Sequence, residues 1–143
     1  MDPWRAELAQ NLFWDARDGF GEQTQLQIGY TFNPRHRFRL TTSAEWSEIS
    51  QGVDWDLFAA QTAELTPRQS LALRAGVRGH TEPAWIADQY LIRFTYRQRV
   101  LRDWLFLEIE PGLDFFREDR YRTAPLIEVK FDILAGSIAP LEP

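Results

Sequence analysis

The sequence predicts an all-β protein, an eight-stranded antiparallel up-and-down (meander) transmembrane β-barrel. Three observations predict it. Apolar and polar residues alternate with a period of two in eight separate segments. Successive side chains of a strand point to opposite faces, so each segment has one dry and one wet face. Segments of about ten residues that alternate this way between turns are the pattern of membrane-crossing strands. No stretch reaches the ~20 apolar residues of a membrane-spanning helix. The mean hydropathy of −0.41 suits a barrel, whose polar interior offsets its apolar exterior.

The first strand is placed at Arg5–Asp15, with Leu8, Leu12 and Trp14 facing one way. The same residues also describe a short amphipathic helix, with Asp2 as N-cap, Pro3 in the first turn, and Trp4, Leu8 and Leu12 at helical spacing. A strand is preferred because eight strands close a barrel with both termini on one rim. The second strand, Thr24–Phe32, puts Leu26, Ile28, Tyr30 and Phe32 on the apolar face. In the third, Arg37–Ser47, Phe38, Leu40, Thr42, Ala44 and Trp46 alternate with Arg37, Arg39 and Glu45.

The fourth, Val53–Leu65, sets Trp55, Leu57 and Ala59 against Asp54, Asp56 and Glu64. The fifth, Ser70–Gly79, sets Leu71, Leu73, Ala75 and Val77 against Arg74 and Arg78. The sixth, Asp88–Arg99, sets Tyr90, Ile92, Phe94 and Tyr96 against Arg93 and Arg97. The seventh, Trp104–Phe116, sets Leu107, Ile109, Leu113 and Phe115 against Glu108, Glu110 and Asp114. The eighth, Leu126–Leu134, sets Ile127, Val129, Phe131 and Ile133 against Glu128, Lys130 and Asp132. Pro111 interrupts the seventh strand, because its missing N–H breaks a ladder. A β-bulge at Pro111-Gly112 is the expected accommodation, and a strand pair that opens there is the alternative.

The connections alternate in length. Asn33–His36, Thr66–Gln69 and Val100–Asp103 are short, and the first two carry turn residues. Ala16–Gln23, Glu48–Gly52, His80–Ala87 and Arg117–Pro125 are longer and polar. Residues 1–136 form one barrel domain and 137–143 a C-terminal tail. The length of 143 residues suits one domain. A net charge of −5 argues against nucleic-acid binding, and the absence of cysteine excludes disulfides and thiolate metal sites. Met1-Asp2-Pro3-Trp4 lacks the basic and apolar regions of a signal peptide. A route to the outer membrane therefore implies a mature or re-engineered form carrying a start Met.

Two faces allow two solutions. In a soluble lipocalin-like barrel the apolar face lines a cavity for a small apolar ligand; in a membrane barrel the faces are exchanged. Aromatics near strand ends favour the membrane: Trp14, Trp46, Trp55, Tyr90 and Phe115 toward the long-loop rim, Phe32, Phe38 and Tyr96 toward the turn rim. The polar face points the same way. Arg37, Arg39, Arg74, Arg78, Arg93 and Arg97 oppose Glu45, Asp54, Asp56, Glu64, Glu108, Glu110, Asp114, Glu128 and Asp132. Lys130 is the only lysine. Arginine offers bidentate pairing and desolvates more readily, so an interior ion-pair network that plugs the barrel is expected.

In this pattern the chain resembles the small eight-stranded outer-membrane barrels of Gram-negative bacteria, typified by the OmpA membrane domain and OmpX. Arg102-Asp103-Trp104-Leu105-Phe106 with Glu108-Ile109-Glu110-Pro111 is similar to uncharacterised proteobacterial proteins assigned to the outer membrane. The resemblance implies that location and the outer-membrane assembly machinery as a partner, and it implies no activity. Such proteins usually end at an aromatic residue; here Phe131-Asp132-Ile133-Leu134-Ala135-Gly136 is followed by Ser137–Pro143.

Catalytic groups are sparse. His36 and His80 have no second histidine at ligand spacing, and neither a metal nor a cofactor is expected. Glu108 and Glu110 share a face, where pairing with arginine is the plainer reading than acid–base work. His80, Glu82 and Asp88 cluster near the long-loop rim, with Ser47 and Ser50 on another loop; a lipid-modifying enzyme is the alternative they leave open. Trp85, Ile86 and Tyr121 project from loops, toward a protein partner or toward lipid headgroups. The leading expectation is an outer-membrane structural or interaction protein acting through its longer loops, with the bilayer as its surroundings and no open pore.

Overall fold

The computed structural model describes residues 2–15, 19–50, 52–101 and 105–133. Eight strands follow one another: β1 (Trp4–Asp15), β2 (Gly19–Asn33), β3 (His36–Ser47), β4 (Asp54–Thr66), β5 (Gln69–His80), β6 (Ile86–Leu101), β7 (Leu105–Phe116) and β8 (Thr123–Ile133). Each pairs antiparallel with the next in a single meander sheet, and no helix occurs among the described residues. The first segment is therefore a strand: Trp4 to Asp15 pair residue by residue with Tyr30 to Gly19. The helical reading fails because an extended chain meets an edge that supplies every ladder partner.

Two turns show how the sequence fixes the register. In Asn33-Pro34-Arg35-His36 the Arg35 N–H donates to Asn33 Oδ1 at 2.9 Å. In Thr66-Pro67-Arg68-Gln69 the Arg68 N–H donates to Thr66 Oγ1 at 3.2 Å. In both, a polar side chain closes the turn and proline presets φ at the next position. The longer connections are shorter than expected. Gly19–Gln23, Ile86, Ala87 and Thr123–Pro125 belong to strands. Gly19 to Gln23 pair with β1, and Gly21 to Gln23 also with β3. A ladder bonds backbone to backbone and needs no apolar side chain to continue. Trp104 and Leu134, expected at strand ends, and the tail lie outside the described residues.

Pro111 causes no bulge. The β7–β8 register runs through Pro111↔Ile127 without a shift. The β6–β7 ladder passes from Arg93↔Gly112 to Tyr96↔Ile109 in the same register, skipping the two positions between. The strand pair opens locally, the alternative accommodation, because losing one donor costs less here than shifting every side chain to the other face.

The barrel does not close. Among the described residues β1 and β8 are not paired, and the sheet has two free edges. Turns and alternation specify the pairing of consecutive strands. The contact between first and last strand has no turn to enforce it. The register also staggers the edges: Leu8 in β1 is level with Leu26, Thr42, Leu57, Val77, Tyr90, Phe115 and finally Thr123, the first residue of β8.

Candidate functional site

The register divides the side chains of the sheet into two faces. One carries Leu8, Leu26, Leu57, Leu73, Ile92 and Ile127; the other carries the charges. The apolar face is open. Leu8 is 73% exposed, Trp14 73%, Ile127 70% and Phe131 68%. Only Phe58 and Leu91 are buried hydrophobics among the described residues. The accessible surface is 10928 Å², whereas a water-soluble globular chain of this mass has about 7,600 Å².

Both buried hydrophobics stand on the charged face, which sequence alternation alone assigns to polar residues. Phe58 lies opposite Gly76, where a Cβ would sit 2.0 Å from the Phe58 ring. Phe13 repeats this across from Gly21, with a Cβ 2.3 Å from its ring. Each glycine gives up its side-chain space to an aromatic on the neighbouring strand. The guanidinium of Arg74 stands 4.2 Å above the Phe58 ring and that of Arg97 4.5 Å above Phe106. For Phe58 the signal available in the sequence was Gly76 flanked two positions away by Arg74 and Arg78; Phe13 and Phe106 carry no such signal.

The ion-pair network is concentrated on β6 and β7. Arg93 Nη2 lies 2.8 Å from both carboxylate oxygens of Asp114, and its Nη1 donates to the carbonyls of Ile92 and Leu113 at 3.2 Å. Its Nε stands 3.8 Å from Glu110, which also accepts from Thr95 Oγ1 at 2.7 Å. Gln89 donates to Asp114 at 3.0 Å. Gly112 makes room, since a Cβ there would stand 2.6 Å from Arg93 Cδ. The Arg93 and Asp114 side chains are 15% and 9% exposed.

Elsewhere the same face is wetter. Arg37 pairs with Glu64, Arg97 with Asp132 at 3.2 Å, and Lys130 with Glu128 at 3.3 Å and Glu108 at 3.8 Å, all with at least one partner well exposed. Asp56 takes both the Ser43 hydroxyl at 2.6 Å and its N–H at 3.2 Å, and Glu45 accepts from Gln23 at 3.0 Å. Asp54 and Arg78 border one hollow of this face, and Arg39 and Arg74 another.

The expected interface aromatics all lie on the apolar face. Tyr90 pairs with Phe115, and Tyr96 with Leu71 and Ile109. Phe38 pairs with Tyr30, whose ring meets Phe32 at 4.8 Å. Trp46 and Trp14 are the penultimate residues of β3 and β1. Trp85 stacks on Trp55 with centroids 5.0 Å apart. Tyr121 packs on Tyr90 at 5.6 Å while its hydroxyl donates to the Ala87 carbonyl at 2.6 Å. These two loops thus lay aromatics against the apolar face. Ile86, expected on a loop, opens β6 and pairs with His80.

At the loop rim His80 Nδ1 and Asp88 Oδ2 are 2.6 Å apart, and Arg117 stands 3.8 Å from Asp88. They border a hollow of 670 Å³ with Arg78, Gln89 and Glu118. Ser47 and Ser50 bond each other, and the Ser50 hydroxyl also donates to the Gly52 carbonyl. Glu82, grouped with His80 in the sequence, lies against Gly52 instead. No group of three potential metal ligands occurs among the described residues. No family model, curated protein or solved structure matches this chain.

Proposed function

We propose that the chain is an outer-membrane β-protein of the Gram-negative kind, held in the bilayer by the apolar face of its sheet. Its role is structural and interactive, and it is not an enzyme. The observation that carries this reading is the sidedness of exposure. Large apolar residues are open on one face from β1 to β8, while the arginine–carboxylate set occupies the other. Water would meet a continuous apolar surface far larger than the patch a soluble monomer tolerates; lipid tails would meet it without penalty. From β2 to β7 every strand is paired on both sides within the sheet, as a membrane-crossing strand must be. The assembly machinery of the outer membrane is the partner such a chain requires to reach that place.

The test is refolding from urea into detergent and, separately, into plain buffer, followed by cold gel electrophoresis of boiled and unboiled samples. A compact, heat-shifted band that forms only with detergent is expected. A folded, monodisperse monomer in buffer alone would overturn the membrane reading and turn attention to a soluble barrel with a small apolar ligand.

A further inference from the structure

We infer that β1 and β8 are docking edges for a second copy of this chain, so that two open sheets close into one sixteen-stranded barrel. This inference rests on the membrane reading. A bilayer supplies no hydrogen-bond partners, so an unpaired strand edge is not tolerated there. The two free edges are 12 and 11 residues long. They run antiparallel to each other, because seven successive antiparallel pairings reverse the direction an odd number of times. Head-to-tail contact of β8 on one copy with β1 on the other therefore continues the antiparallel ladder, and two copies related by an axis through the lumen can close it into a ring.

The edges are complementary. Setting Arg5 opposite Asp132 puts Glu7 opposite Lys130 on the charged face and Leu8 opposite Val129 on the apolar one. Opposite charges face each other and the apolar band continues across the seam. The same seam would serve one chain closing on itself, and the charged face decides between the two. An eight-stranded ring is just wide enough for its side chains to fill. Here Arg5 is 78% and Arg37 57% exposed, and hollows of up to 670 Å³ open along the charged face. Such a face suits a hydrated lumen, which barrels of sixteen strands possess.

The absence of cysteine gives the test a clean background. Ala9→Cys and Glu128→Cys chains, each with one thiol, are refolded together in detergent and treated with a short bismaleimide; a chain carrying both substitutions is treated alongside. Covalent dimers in both samples are expected, with the mass of two chains by light scattering for the unsubstituted protein. Vesicles holding the protein should release sucrose within minutes. A doubly substituted chain that links only within itself, or the absence of any link with a one-chain mass, overturns the inference and leaves the membrane reading intact. Vesicles that retain sucrose overturn the wide lumen. Folding as a monomer in buffer without detergent removes the membrane reading and this inference together.

Discussion

Arg93 on β6 reaches diagonally to Asp114 on β7, with one guanidinium nitrogen 2.8 Å from both carboxylate oxygens. Both side chains are almost dry, so removing one leaves a charge without its counterpart. Arg93→Met is expected to destabilise the fold by about 3–5 kcal/mol. Arg97→Met serves as the contrast, since Arg97 and Asp132 are both widely exposed and such pairs are worth under about 1 kcal/mol. Denaturant midpoints of the two variants in detergent check this; equal midpoints would remove the special status of the β6–β7 pair.

Gly76 is required by Phe58, not by backbone conformation. A methyl group at Gly76 would overlap the ring, and overpacking of this kind costs about 1–3 kcal/mol. Gly76→Ala should lower the unfolding midpoint accordingly. With Phe58→Ala in the background the same change should cost little, because the methyl then enters vacated space. A double-mutant cycle measures the difference, and additivity would contradict the contact.

The apolar face should tolerate charge in one solvent and reject it in the other. Leu73 is 49% exposed on that face, so in water Leu73→Arg would change stability by under about 0.5 kcal/mol. At the midplane of a bilayer an arginine on the lipid face costs about 2–4 kcal/mol. Refolding yield and midpoint in phospholipid vesicles are expected to fall by the larger amount. An unchanged midpoint in vesicles would mean that this face does not meet lipid.

The two-residue period placed all eight strands and both faces, because alternation records which side of a strand is buried, whatever buries it. It missed Phe13, Phe58 and Phe106, since these apolar residues occupy positions of polar parity and are accommodated by glycines on a neighbouring strand or roofed by arginines; Leu91, of the same parity, is buried opposite Gly76. It overextended the loops, because Gly19–Gln23 looks like a turn in composition yet pairs on both sides from Gly21 to Gln23. Closure was illegible for a different reason. A pairing between first and last strand is set by curvature summed over seven hairpins, and no single residue pattern encodes it. The Arg93–Asp114 pair was among the charges singled out, but its depth was not, since depth depends on Gly112 and Gln89 beside it.

The loop of residues 117–122 is pinned to β6 rather than free. The Arg117 N–H donates to the Asp88 carbonyl at 2.8 Å, and the Tyr121 hydroxyl to the Ala87 carbonyl at 2.6 Å. Arg120 and Tyr121 both take positive φ, 55° and 57°, a region that costs L-residues about 1–2 kcal/mol and persists only where contacts hold it. Tyr121→Ala removes the hydrogen bond, worth about 1 kcal/mol, together with the ring contact on Tyr90. The loop should then open more often, and local opening governs proteolysis when reclosing is fast. Trypsin cleavage after Arg117, Arg120 or Arg122 is expected to accelerate roughly tenfold, following the factor of ten per 1.4 kcal/mol. Tyr121→Phe, which keeps the ring and loses only the hydroxyl, should fall between the two. Equal cleavage rates for all three proteins would mean that Tyr121 does not hold the loop against the sheet.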